Sequence, residues 1–132
     1  MDAALKRLIR ERAQHRCEYC RLEQSQSPLF PLQIEHIRPR KHHGGDDLEN
    51  LAFACIDCNL HKGPNLAGID AESGALTELF HPRLHSWSDH FELRLPFIFG
   101  KTATGRVTVD VLNMNSLEQV TLRLLATRTD LP

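Results

Sequence analysis

Short periodic segments alternate with polar loops along the first half of the chain. Residues 32–37 alternate apolar and polar side chains, as a half-buried strand does, and residues 48–54 predict a second short strand. Residues 55–62 favour a short helix that stops at Gly63-Pro64. Asp2 is placed to cap an N-terminal helix, whose inward positions follow helical spacing at Leu5, Leu8, Ile9 and Ala13.

The second half predicts further short elements. Strands are expected over residues 76–80, 90–93 and 96–100, and a helix is favoured over residues 102–113, although valines there also alternate. Ser116 is placed to cap a final helix. We expect one domain of class α+β over residues 1–132. The inward side chains of the final helix are predicted to be Leu117, Val120, Leu124 and Leu125.

Composition narrows the class of protein. The chain has 132 residues, 41% of them hydrophobic, and 16 Lys+Arg nearly balance 17 Asp+Glu. No apolar run reaches the roughly 20 residues of a membrane-spanning helix. The N-terminus lacks the apolar stretch of a signal peptide, so the sequence favours a cytoplasmic protein. The net charge of −1 gives no electrostatic reason to expect a nucleic-acid partner.

Four cysteines form two C-x2-C pairs, Cys17/Cys20 and Cys55/Cys58, with 34 residues between the pairs. Each pair can direct two thiolates at one ion from a tight turn, and two pairs complete a tetrahedral zinc shell. Such a shell has no open position, so the zinc would be structural. Two alternatives compete with it. Disulfides suit an exported protein, and a redox C-x-x-C motif explains only one pair.

The residues inside this frame resemble the HNH endonuclease family. The resemblance rests on Ile34-Glu35-His36-Ile37-Arg38-Pro39, on Glu49-Asn50-Leu51, and on Cys58-Asn59-Leu60-His61-Lys62-Gly63, all framed by the cysteine pairs. It covers residues 17–63 and points to the four-cysteine branch with a ββα-metal core, as in small stand-alone bacterial and phage proteins. An N-terminal helix would precede this core, and residues 64–132 would form a strand and helix extension.

The resemblance implies a role for each site residue. His36 would be the general base that deprotonates water, for which an ordinary pKa near ~6.5 is suitable. Glu35 and Asn59 would hold one catalytic divalent metal, Mg²⁺, Mn²⁺ or Ni²⁺, through oxygen ligands. Asn50 would tie down the loop between the strands and orient the histidine. Glu35 and His36 are adjacent, so they can share a site only if the strand bends or ends there.

Several basic residues keep more than one interpretation. His61 would contact phosphate, replace Asn59 as a ligand of the catalytic metal, or lie on the helix surface. A second set either grips DNA phosphates or lies on a solvated loop, and it consists of Arg38, Arg40, Lys41 and Lys62. The leading hypothesis is a metal-dependent DNA endonuclease. The alternative is a zinc-stabilised nucleic-acid-binding module without cleavage activity. The near-zero charge then predicts weak, metal-dependent DNA binding.

Overall fold

The computed structural model describes residues 1–129, and side chains up to residue 126. It has the predicted α+β composition, with five helices and six short strands among the described residues. The helices are α1 (Ala3–Arg12), α2 (Ile56–Lys62), α3 (Trp87–His90), α4 (Ala103–Val111) and α5 (Leu117–Thr129). The strands are β1 (Gln33–His36), β2 (Leu51–Ala54), β3 (Ala67–Ile69), β4 (Leu76–Glu78), β5 (Phe91–Arg94) and β6 (Phe97–Gly100).

Strands β1 and β2 and helix α2 form the predicted ββα unit. The strands are antiparallel, with Gln33 opposite Ala54 and His36 opposite Leu51. Helix α2 packs against β1. Its N-cap is Cys55, whose Sγ accepts a hydrogen bond from the Cys58 amide at 3.4 Å. It ends at Gly63, whose φ of 49° is one that glycine adopts readily.

Helix α1 covers the outer strand of this unit. The Asp2 carboxylate accepts a hydrogen bond from the Leu5 amide at 2.8 Å, which confirms the predicted cap. The helix packs on β2, and Ile9 is fully buried there. The predicted apolar face is therefore correct at its centre, whereas Leu8 lies half exposed.

Helix α4 organises the extension. It packs against the β3–β4 ribbon on one side and against β6 of the β5–β6 ribbon on the other. Val107 is buried between them. Residues 103–111 therefore follow the helical spacing of the sequence and not the strand-like alternation of its valines. Gly105 lies against the carbonyl of His90, and a Cβ on Gly105 would come within 2.0 Å of that oxygen. The close approach accounts for a glycine inside the helix.

Contacts around Tyr19 join the extension to the ββα unit. The Trp87 indole donates a hydrogen bond to the Tyr19 carbonyl at 2.7 Å, and the Tyr19 ring meets Phe80 edge to face. Arg83 pairs with Glu18, and both side chains are largely buried. The buried hydrophobic residues of the two parts form one cluster.

The second half departs from the sequence-based prediction at three places. Residues 67–69 form β3, which pairs with β4, although no strand was predicted there. His90, which was expected to begin a strand, instead ends the short helix α3, and the strand begins at Phe91. In α5 the predicted face is wrong at Leu117, Leu124 and Leu125, which are exposed, whereas the predicted Val120 is half-buried. Gln119 and Arg123 are buried instead. None of the helices in residues 1–129 has the length and apolar character needed to cross a membrane.

Candidate metal centre and active site

The four cysteines converge at one buried position between α2 and the turn after α1. Their ligand atoms all lie within 4.8 Å of one another, and all four residues are buried. In each pair the second cysteine's amide donates to the first cysteine's Sγ at 3.4 Å. The sequence predicts this convergence from spacing alone. The first cysteine turn lies directly against β2, because the Glu18 amide donates to the Phe53 carbonyl at 2.8 Å and the Phe53 amide donates to Glu18 Oε2 at 2.7 Å.

The geometry fits a zinc ion and does not fit a disulfide. Tetrahedral zinc with Zn–S bonds near ~2.3 Å separates its sulfur atoms by about 3.8 Å. The Cys20 and Cys55 sulfur atoms are 3.6 Å apart, far beyond the roughly 2.05 Å of a disulfide bond. None of the four cysteines forms a disulfide. The donor set therefore supports structural zinc held by Cys17, Cys20, Cys55 and Cys58.

His36 lies at the end of β1 and pairs with a carboxylate from the following loop. Its Nε2 is 2.7 Å from Asp46 Oδ1, and Arg40 contacts both oxygens of the same carboxylate at 2.9 and 3.2 Å. The hydrogen bond with His36 holds the pKa of Asp46 below its ordinary value, and the charge of Arg40 acts in the same direction. An ionised Asp46 can only accept, so Nε2 carries the proton of this bond.

Asn50 holds both ends of the loop that carries Asp46. Its Oδ1 accepts from the Arg38 amide at 2.8 Å, and its Nδ2 donates to the carbonyls of Arg38 and Gly45 at 3.0 and 2.8 Å. Gly44 lies so close to Arg38 that a Cβ would come within 1.6 Å of the Arg38 oxygen. The loop-tying geometry expected of Asn50 is present. Its catalytic role stays a prediction.

Glu35 faces away from His36 into a buried pair. One carboxylate oxygen accepts from the Tyr19 hydroxyl, and the other lies 3.2 Å from Lys62 Nζ. Lys62 also donates to the carbonyls of His36 and Ile37 at 3.2 and 2.9 Å. Burial raises the pKa of Glu35, and the ammonium of Lys62 opposes that shift. Successive side chains of a strand point to opposite faces, so Glu35 and His36, which are adjacent in β1, lie on opposite faces of it.

This arrangement does not bring Glu35 and Asn59 together as ligands of a catalytic metal. Both oxygens of Glu35 are engaged, and its side chain is only 4% exposed. Asn59 donates through Nδ2 to Gln33 at 2.7 Å and keeps its amide oxygen as a possible ligand. The Asn59 oxygen fits a hard cation. The Glu35 carboxylate does not fit one while Tyr19 and Lys62 hold it.

The remaining predicted residues divide between surface and interior. His61 is exposed on α2, and its Nδ1 contacts the Asp57 carbonyl at 2.8 Å. Lys62 is 1% exposed and uses its donors internally, so it is not placed to contact a DNA phosphate. The other three basic candidates lie exposed on the loop after β1, namely Arg38, Arg40 and Lys41.

Two residues of this site went unnoticed in the sequence. Asp46 lies in a polar loop of the sequence, and its position directly after Gly44-Gly45 is the signal that could identify it. Tyr19 lies between the first two cysteines, where residue type alone does not indicate a hydrogen bond to Glu35. Both contacts connect residues at least ten positions apart, which periodicity does not reveal.

Comparison with known proteins supports the resemblance. Residues 17–65 match the family model described as HNH endonuclease, which confirms the expected family likeness over that segment. The chain is 25% identical over 129 residues to the Septu protein PtuB of Bacillus thuringiensis. The alignment covers 95% of this chain and 47% of that relative, so the chain spans about half the relative's length. No solved structure matches the chain.

Proposed function

We propose that the chain is a metal-dependent DNA endonuclease in which His36 is the general base. The observation that carries the proposal is the pairing of His36 with Asp46 at the end of β1, inside a four-cysteine frame. The family likeness over residues 17–65 supports hydrolysis of a phosphodiester as the reaction class. Asn50 supports it further, because it holds the loop on which Asp46 lies.

The proton transfer can be assigned to one ring nitrogen. Because Nε2 donates to Asp46, the neutral imidazole has its free electron pair on Nδ1. His36 would therefore take the proton of the attacking water at Nδ1. Asp46 would then stabilise the imidazolium that forms. Nδ1 has no hydrogen-bond partner within the described part of the chain, which leaves that atom for water.

The exposed basic residues near His36 would bind the DNA phosphates. Arg38 and Lys41 project from the loop after β1, where they are free to meet phosphates on either side of the cleaved bond. Arg40 contacts Asp46 instead and would have to exchange that partner for a phosphate. Lys62 is left out of this set because it is buried.

A divalent cation is retained in the proposal. When bound, such an ion neutralises charge on the phosphate and assists the departing oxygen. The Asn59 amide oxygen is one ligand that the geometry supports. No step is assigned to Glu35, because its carboxylate is held by Tyr19 and Lys62.

A binding module without cleavage activity is the alternative function. The observation that favours it is the engaged state of Glu35, since a nuclease metal site normally presents its carboxylate to the ion. The cysteine frame is equally compatible with either function.

A plasmid assay of the full-length, zinc-containing protein decides between the two functions. Wild type, His36→Ala and His42→Ala would be incubated with supercoiled DNA and Mg²⁺, Mn²⁺ or Ni²⁺ in turn. We expect His36→Ala to lose roughly 10²- to 10⁴-fold in rate, the usual contribution of a general base. His42 is an exposed histidine nearby on the same loop, so His42→Ala should cleave like wild type. Zinc content and melting temperature should match in all three proteins.

Two results would contradict the proposal. Cleavage by His36→Ala at the wild-type rate would remove His36 from the mechanism. Absence of wild-type cleavage with all three ions, combined with retained DNA binding, would favour the module without activity.

A further inference from the structure

Helix α5 packs onto the cysteine site with its polar side chains. Gln119 is 1% exposed and Arg123 is 8% exposed, whereas Leu117 is 79% exposed on the same helix. A helix that packs on a protein core ordinarily turns its apolar residues inward. Leu122 of α5 packs partly buried against the core, but burial of an amide and a guanidinium beside it needs specific partners.

The partner of Gln119 is the metal-binding cysteine Cys55. Gln119 Nε2 lies 3.6 Å from Cys55 Sγ and 3.0 Å from Asp57 Oδ2. Both are acceptors, so the two N–H groups of the amide are spent on sulfur and carboxylate. The opposite end of the amide, Oε1, is buried without a hydrogen-bond partner among the described residues. Turning the amide over would place oxygen against two acceptors.

Arg123 is the other buried polar side chain of α5, four positions after Gln119. Its guanidinium donates to the carbonyl of Pro96 at 2.9 Å, to Asn115 Oδ1 at 3.3 Å and to the Met114 carbonyl. All of these acceptors are neutral, and Arg123 forms no ion pair with a carboxylate in the described part of the chain. Burial lowers the pKa of Arg123, and the negative charge of the nearby cysteines opposes that shift. A zinc ion with four thiolates is left near −2 in net charge, which a buried cation offsets.

We propose that Gln119 is a positioning residue of the cysteine-held metal, donating an N–H to the Cys55 thiolate so that α5 closes the site and slows loss of the ion. Hydrogen bonds to ligand atoms orient them and tune the metal, and their removal typically weakens binding. Gln119 lies beyond residues 17–65, so the proposal gives the extension a role at the metal centre. It does not depend on the proposed nuclease activity.

Matched variants of the full-length, zinc-loaded protein test this proposal. Gln119→Met keeps the length of the side chain and removes the N–H groups, whereas Gln119→Glu directs a carboxylate at Cys55 and Asp57. Leu117→Ala changes an exposed side chain of the same helix and is the control. Release of zinc to a chromogenic chelator is measured in solution, and the thiolate-to-cobalt absorption bands are recorded after replacement of zinc by Co²⁺.

We expect Gln119→Met to release zinc roughly 10- to 100-fold faster than wild type, as for other partners of metal ligands. Gln119→Glu should release it faster still. The cobalt bands should shift in both variants and stay unchanged in Leu117→Ala.

Release at the wild-type rate with unshifted cobalt bands would overturn the proposal. A lowered melting temperature with unchanged release and spectrum would also overturn it, because Gln119 would then act only through packing. If one of the two Gln119 variants does not fold, the other is decisive by the same measurements.

Discussion

Asp46 and His36 form the contact on which the proposed chemistry depends. The carboxylate lies 2.7 Å from His36 Nε2, although ten positions separate the two residues along the chain. A bond to Nε2 selects one tautomer of the ring and holds its orientation. Arg40 contacts the same carboxylate and keeps it charged, so the three residues form one linked set.

Replacing Asp46 with Asn tests this contact within the proposed nuclease. Asn keeps the size of the side chain but removes its charge. A hydrogen bond to a charged group is worth roughly 1.5–3 kcal/mol, so kcat should fall roughly 10- to 100-fold. The KM for plasmid DNA should change much less. Steady-state cleavage at saturating metal provides both constants.

Asp47→Asn is the matched control, because Asp47 is the next carboxylate along the loop and its side chain makes no capping bond. It should retain the wild-type kcat. Equal kcat values for Asp46→Asn, Asp47→Asn and wild type would mean that His36 is positioned by something other than Asp46.

The loop between β1 and β2 is the element that aligns these residues. Asn50 ties the Arg38 backbone to Gly45, and Gly44 sits directly against the Arg38 carbonyl. The packing at Gly44 is backbone against backbone. Such a contact cannot be relieved by turning a side chain, so the loop has little freedom to accept a larger residue.

Gly44→Ala tests the rigidity of this loop, and Gly45→Ala at the next position is its control. A Cβ on Gly44 would lie 1.6 Å from the Arg38 oxygen and 2.9 Å from Asn50 Nδ2. A Cβ on Gly45 would meet only the Asp47 carboxylate, at 3.1 Å. We expect Gly44→Ala to displace the loop and lower both the cleavage rate and the melting temperature. Gly45→Ala should resemble wild type in both measurements, and similar behaviour of the two variants would count against a rigid loop.

The sequence predicts well those elements whose pattern lies within a few neighbouring residues. The ββα unit follows from alternation over residues 32–37, the cysteine spacing and the Gly63 stop. The family likeness supplies the site residues but not their contacts. Lys62 and Glu35 neutralise each other through a pairing across 27 positions, which no local pattern reports. The inward face of α5 is mispredicted because the hydrophobic pattern contains no information about the hydrogen bond between the Gln119 amide and the Cys55 sulfur.

At the scale of the whole molecule, an ion pair between Asp70 and Arg106 joins the β3–β4 ribbon to α4. Asp70 follows β3 and is fully buried, and its two oxygens accept from Arg106 of α4 at 3.0 Å each. The Ser73 hydroxyl donates to the same carboxylate at 2.7 Å. These contacts, Arg106 foremost, hold the pKa of Asp70 well below its ordinary value.

The pH dependence of unfolding follows from that shift. An Asp70 whose folded pKa is depressed stabilises the fold fully above the unfolded value, near ~3.9. The contribution is lost as the pH falls towards the lower folded pKa, because the unfolded chain binds the proton first. Asp70→Asn should therefore lose less stability than wild type between about pH 4 and pH 2. Melting temperatures of both proteins across pH 2–7 measure the difference.

Acid also protonates thiolates and releases metal, but it does so in both proteins, so the comparison isolates Asp70. Parallel curves for wild type and Asp70→Asn would show that the ion pair with Arg106 does not contribute to acid unfolding.

The cysteine pairs and the helix that contacts them are made at different times. Residues 17–58 are synthesised before α5, so all four cysteines are present in the nascent chain before the helix that contacts Cys55. If α5 closes the metal site as proposed, it does so only after the cysteines can have bound their ion. A protein produced without zinc has to move this helix before it can be loaded. We expect it to accept the ion more slowly than a chain still being translated.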